Sequence, residues 1–157
     1  MNNNEKIIHD LYTAFAALDA KSMGDLYAPN VHFMDPIFPE LHGGDVKIMW
    51  EMLCSKAQDF TLTFSDVEAD DEYGTARWEA VYRFSSTGRK VHNKVKAHFR
   101  FKEGKIIEHM DYFRFWTWSS QALGLSGTLL GWSGFFQKKV QKGAALNLKK
   151  FQRTLES

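Results

Sequence analysis

Gly104-Lys105-Ile106-Ile107-Glu108-His109-Met110-Asp111-Tyr112-Phe113-Arg114-Phe115-Trp116 is the stretch on which the reading of this chain turns. β-Branched and aromatic residues dominate it and a Gly-containing turn precedes it, so it predicts a strand. Successive strand side chains point to opposite faces. One face then carries Ile107, His109, Asp111, Phe113 and Phe115, and the other Ile106, Glu108, Met110, Tyr112 and Arg114. The first face is apolar apart from an imidazole and a carboxylate side by side at its middle. Such groups are costly to bury unless partnered, which makes His109 and Asp111 a candidate site in a pocket.

Upstream, the same period of two recurs. Lys102-Glu103-Gly104-Lys105 reads as a tight hairpin connection. Before it, Val91, Asn93, Val95, Ala97, Phe99 and Phe101 line one face of a long strand, opposite His92, Lys94, Lys96, His98 and Arg100. Trp78, Ala80, Tyr82 and Phe84 line the strand before that, and Phe60, Leu62 and Phe64 the one before again. Ahead of residue 58 the period is helical. Ile8, Leu11, Tyr12, Phe15 and Leu18 form one stripe over residues 5–18, Ser22 is a candidate cap for a short helix toward Tyr27, and Gly43-Gly44-Asp45 opens a third helix bearing Val46, Met49, Trp50 and Leu53. Pro36 and Pro39 mark an irregular segment around Asp35. Three helices followed by a meander of antiparallel strands predict an α+β domain, its helices on one sheet face. A curved sheet closed by helices makes a cone with a cavity at its wide end.

The remainder is helical. Trp116 to Gly124 predicts a short helix ended by Gly, Thr128 to Trp132 a short apolar piece, and residues 133–155 an amphipathic helix with Phe136, Val140, Ala144, Leu148, Phe151 and Leu155 on one stripe and Lys138, Lys142, Lys149 and Arg153 opposite. A basic amphipathic helix can lie on a membrane. The small Ala in the stripe favours docking on the domain or on a partner subunit.

At 157 residues the chain is read as one domain, with its core over residues 1–115 and a C-terminal helical extension over 116–157. The net charge is +1, but residues 1–72 carry 4 Lys/Arg against 14 Asp/Glu, whereas residues 126–157 carry 6 against 1. The basic residues of the sheet alternate as solvated faces do, which argues against a nucleic-acid partner. One cysteine, Cys54, makes no internal disulfide. The N-terminus lacks the basic and apolar regions of a signal peptide, and no apolar run approaches the roughly 20 residues needed to span a bilayer. A cytoplasmic location with no membrane partner is the expectation. His9, His32, His42, His92 and His98 lack metal-ligand spacing. Gly124-x-x-Gly127 and Gly131-x-x-Gly134 do not follow a strand, which speaks against nucleotide binding. Neither a metal nor a cofactor is expected.

The motif order resembles the cone-shaped (cystatin-like) superfamily of nuclear transport factor 2, ketosteroid isomerase and scytalone dehydratase, and within it the SnoaL-like polyketide cyclase branch. Val31-His32-Phe33-Met34-Asp35-Pro36 is similar to its Phe-x-Asp-Pro segment, Leu41-His42-Gly43-Gly44-Asp45 to its Gly-led third helix, and Gly104 to Asp111 to its Gly-Lys-Ile-x-Glu-His final strand. Together these span roughly residues 5–115. The resemblance implies a homodimer through the outer sheet face and a pocket between helices and inner face that takes a small hydrophobic molecule. In such cyclases an acid on the last strand is the general acid/base with a His nearby, positions that Asp111 and His109 match. The superfamily's epoxide hydrolases use an Asp-Arg-Asp arrangement, for which no Arg here has a matching place.

Two function classes follow. One is a cofactor-free isomerase or lyase acting on an apolar carbonyl compound, with Asp111 and His109 moving the proton and Asp35, held extended by Pro36, as a second carboxylate. Tyr12, Phe15, Trp50, Trp78, Asn93, Phe113 and Trp116 are its candidate ligand-contacting residues. The other is a non-catalytic binding or interaction module on the same fold, in which these groups are core or turn residues.

Overall fold

In the computed structural model, which describes residues 1–156, the chain opens with α1 (Asn3–Ala16), capped by the Asn2 side chain, which accepts from the Glu5 amide. Its stripe of Ile8, Leu11, Tyr12 and Phe15 is buried against the sheet. α2 (Ala20–Gly24) is short, and its cap is Asp19, which accepts from the Ser22 amide. Ser22 is therefore the residue capped rather than the cap: the earlier position leaves its carboxylate free to turn back onto an unpaired helix N–H.

A strand that the sequence did not announce follows. β1 (Tyr27–Met34) precedes β2 (Leu41–His42) and α3 (Gly44–Lys56). The expected order of three helices before all strands is corrected here. Pro29 and Asn30 mask the strand pattern of β1, and its long partner lies at the other end of the chain. β3 (Gln58–Ala69), β4 (Tyr73–Arg83), β5 (Lys90–Lys102) and β6 (Lys105–Tyr112) form the antiparallel meander. The single open sheet runs β2-β1-β6-β5-β4-β3, with β1 parallel to β6. This order puts β6 between β1 and β5. Glu103 and Gly104, both at positive φ, form the two-residue turn joining β5 to β6, a backbone whose twist suits a hairpin.

Two features of β6 differ from strict alternation. Between Arg100↔Glu108 and Phe101↔Ile106 the register shifts by one residue. Ile107 is the extra residue of a bulge, so Ile106 joins the core with no exposure while Ile107 is only partly covered. The strand also stops at Tyr112, and Phe115 begins α4 (Phe115–Leu123). Gly124, at φ 69, ends that helix, as its position in the sequence suggested. α5 (Leu125–Leu130) and α6 (Gly134–Glu156) complete the chain. Of the predicted α6 stripe, Ala144, Leu148 and Phe151 pack on the main core and Phe136 and Val140 on a smaller cluster around Val91, Phe115 and Trp118, whereas Leu155 is exposed. Among the described residues no helix is long and apolar enough to cross a membrane.

Candidate functional site

Beyond the bulge, β6 alternates cleanly, and both His109 and Asp111 point inward, 0% and 4% exposed. Their cross-strand neighbours set the space around them. Asp111 pairs with the small Ala97 and His109 with Phe99. The imidazole Nε2 and the Asp111 Oδ1 are 2.9 Å apart, and the Trp78 indole reaches across β5 to donate to the same oxygen at 3.4 Å. On its other side, His109 Nδ1 lies 2.8 Å from the Tyr27 hydroxyl, which accepts from the Trp50 indole at 3.1 Å.

The proton positions in this chain follow from donor chemistry. An indole N–H can only donate, so Trp50 occupies the Tyr27 oxygen and leaves the phenol proton for His109 Nδ1. Burial and the Asp111 charge hold the Tyr27 phenol well above its usual range, so that proton stays in place. Nδ1 is then the acceptor and Nε2 carries the hydrogen donated to Asp111. The result is a directed series from Trp50 through Tyr27 and His109 to Asp111. Asp111 Oδ1 receives two N–H groups, and its Oδ2 has no protein partner among the described residues.

Asp35 sits at the exit of β1. Its Oδ1 accepts from the amides of Ile37 at 2.7 Å and Phe38 at 2.6 Å, the turn that Pro36 shapes. Loss of water around the carboxyl pushes it up to about 7; the Phe38 amide opposes this, and the Asp111 charge adds to it. The two carboxylates therefore share a site in which one favours the neutral form of the other.

Both line a cavity of about 350 Å³. Its walls include the aromatic Phe15, Trp50, Phe60, Trp78, Phe113 and Trp118, with Asn93, Tyr82, Lys56, Arg83, Ser85 and Ser86 among the further polar groups. Burial holds the Tyr82 phenol at about 12, against a lowering effect of the Trp118 indole that donates to it at 3.0 Å. The C-terminal helices add a further wall. Trp118 and Leu123 from α4 and Val140, Ala144 and Asn147 from α6 line the cavity. Gln137 and Gln141 both donate to the Pro36 carbonyl, tying α6 to the residue next to Asp35.

Of the residues singled out from sequence, Asp111, Asp35, Phe15, Trp50, Trp78, Asn93 and Phe113 lie on this cavity. His109 stands behind Asp111, in the wall rather than on its surface. Tyr12 is placed differently from the expectation. It is buried among Phe64, Trp78 and Phe99, off the cavity surface, and its hydroxyl has no partner. Trp116 is also off the cavity: it sits half-exposed on the outer side of α4, its indole donating to the Thr128 carbonyl. A helix repeats every 3.6 residues, so Trp118 rather than Trp116 turns inward. Tyr27, Tyr82 and Trp118 were missed as site residues. Tyr82 and Trp118 stood in elements already read from sequence, whereas Tyr27 lay in the unrecognised β1. Among the described residues there is no group of three or more His, Cys, Asp or Glu able to hold a metal.

The fold has many solved counterparts. A protein from Catenulispora acidiphila DSM 44928 with a ketosteroid isomerase-like fold, solved with trimethylamine, matches at TM-score 0.67 and 14% identity over 78% of this chain and 95% of that one. A candidate polyketide cyclase from Xanthomonas campestris pv. campestris matches at 0.63 and 17%, covering 76% and 96%. An epoxide hydrolase from M. tuberculosis matches at 0.66 and 14%, covering 82% and 96%. At these identities the likeness is one of fold, and that fold is the α+β cone expected from the sequence. No curated protein matches the sequence. The family model of the SnoaL-like domain matches residues 8–109, from the first helix to His109, and the chain belongs to that family.

Proposed function

We propose that the cavity binds a small apolar carbonyl compound and that Asp111 and Asp35 move protons on it, as in an isomerase, cyclase or dehydratase that needs no cofactor. The observation that carries this reading is the pairing of two carboxyls in different environments on one aromatic-walled cavity. Asp111 is supported as the base by two N–H donors on Oδ1, with Oδ2 unpartnered. Asp35, held near 7, has a protonated fraction at neutral pH to offer a carbonyl oxygen. In the proposed step Asp111 takes a proton from the carbon next to the carbonyl while Asp35 gives one to the oxygen, forming an enol. Return of the first proton to the far carbon of a conjugated enol, while the enol hydroxyl gives its proton back to Asp35, completes the isomerisation of an unsaturated ketone. Environments that separate two carboxyls in this way assign acid and base roles elsewhere in enzymology.

The chemistry is testable without the natural substrate. Full-length protein in deuterium oxide with an apolar bicyclic ketone, 2-decalone, should exchange the protons beside the carbonyl faster than buffer does, saturably, as followed by NMR. Exchange at the buffer rate would contradict the proposal. A second reading, a binding module, draws on the Asp35 turn, since a carboxylate bonded to Ile37 and Phe38 amides also serves simply to shape a loop. Saturable binding of the ketone with no exchange would favour it. The family resemblance also supports a homodimer through the outer sheet face, where Arg77, Glu79, Lys94 and Tyr112 line a shallow concavity; charge reversal at Arg77 and Lys94 should then lower the mass measured by light scattering.

A further inference from the structure

Residues 115–137 contain no charged side chain, and Lys138, Lys139 and Lys142 follow directly. In the fold this stretch becomes α4, α5 and the first turn of α6. α5 approaches α4 closely because Gly127 and Gly131 lack side chains; a Cβ on either would run into Ser119. With that face pressed to α4, the opposite side of the hairpin carries Leu125, Leu129, Leu130, Trp132 and Phe135 outward. Leu125, Trp132 and Phe135 are 75%, 77% and 82% exposed. Contiguous apolar exposure of this kind marks an interaction surface.

The polar atoms of this surface are turned inward. Ser126 Oγ donates to the Leu123 carbonyl, Thr128 Oγ1 to that of Gly124 and the Trp132 indole to that of Leu129. An apolar medium can cover the hairpin without stripping water from an unpaired donor. The three lysines beside it are exposed, and among the described residues none has an ion-pair partner. After Asp111 the only acidic side chain in the chain is Glu156.

We propose that the α4–α5 hairpin is a membrane-docking surface, which settles into the interface of a bilayer bearing anionic headgroups while Lys138, Lys139 and Lys142 meet the phosphates. The charge pattern favours this occupant over a second copy of the chain. A two-fold contact sets a patch against itself, and this patch brings lysines with no carboxylate within ion-pair distance, whereas an anionic bilayer supplies the missing charge. Lying on a membrane needs no spanning helix; the proposal departs in this from the sequence-based expectation of no membrane partner. The cavity walls formed by Trp118, Leu123 and Val140 belong to the same helices, which sets the docking surface next to the apolar cavity.

The test is co-sedimentation of the full chain with vesicles of phosphatidylcholine alone and of phosphatidylcholine with phosphatidylglycerol. Binding is expected only with phosphatidylglycerol, weakening as salt rises, with tryptophan fluorescence quenched by brominated acyl chains. The double variant Trp132→Ser/Phe135→Ser and, separately, Lys138→Glu/Lys139→Glu should each lower the bound fraction about tenfold or more. All four side chains are exposed, so the thermal midpoint should hold. No binding to either vesicle, or binding that survives both variants, would overturn the proposal. So would loss of a dimer in the apolar variant without vesicle binding by the parent, which would give the patch to a second copy.

Discussion

Asp111 and Asp35 have the same side chain and line the same cavity, yet their supports differ in kind. Asp111 is the penultimate residue of β6, paired with Ala97 of β5 and one place beyond the last pairing with β1, and side chains hold it: the His109 imidazole, backed by Tyr27 and Trp50, and the Trp78 indole. Asp35 stands at a strand exit, and backbone amides of its own turn hold it. The first support is long-range and available only in the finished fold; the second is local. The difference teaches that surroundings rather than residue type set the two apart: side-chain donors converge on Asp111, whereas at Asp35 burial and a neighbouring carboxylate act together against the charged form.

The largest way to break the comparison is Asp111→Asn. Loss of a positioned base lowers rates by about 10²–10⁴-fold, and ketone proton exchange should fall by that amount while the far-ultraviolet spectrum is kept. Asp35→Asn sharpens the other half. Its carboxyl rises from 3.8 to about 7 on folding, so the folded state binds the proton more tightly. That contribution is complete below pH 3.8 and is lost as pH rises through about 7. Denaturation measured between those limits should show stability falling with pH in the parent and a flatter line in the Asn variant. Tyr27→Phe comes next. It strips the partner from a fully buried Nδ1 and should cost about 1–3 kcal/mol in urea denaturation, with a smaller rate loss than Asp111→Asn. Trp50→Phe removes the indole donor together with part of a buried ring and should cost about 1–3 kcal/mol. ¹⁵N NMR should find His109 with its hydrogen on Nε2 in the parent; a hydrogen on Nδ1 would break the inferred direction of the series.

The same contrast explains what could be read from the chain in advance. The hairpin at Glu103-Gly104, the inward alternation of His109 and Asp111 and the Gly124 helix stop are encoded within a few residues, so they were legible. The bulge at Ile107 was not, because it arises from how β6 meets β5. β1 was hidden by Pro29 and Asn30, and its pairing with β6 crosses most of the chain. Tyr27 was lost with it, and so was the reason His109 is held as it is. The amphipathic stripe of α6 announced that the helix would dock, but only the fold shows that Gln137 and Gln141 fasten it at Pro36, beside Asp35.

The most direct measurement sets the two single variants side by side: deuterium exchange into 2-decalone by Asp111→Asn and by Asp35→Asn across neutral pH. The account predicts exchange near the buffer rate for Asp111→Asn. For Asp35→Asn it predicts a reduced but measurable rate that no longer declines as pH passes about 7. Exchange retained in Asp111→Asn and lost in Asp35→Asn would contradict it, exchanging the roles of the two carboxyls.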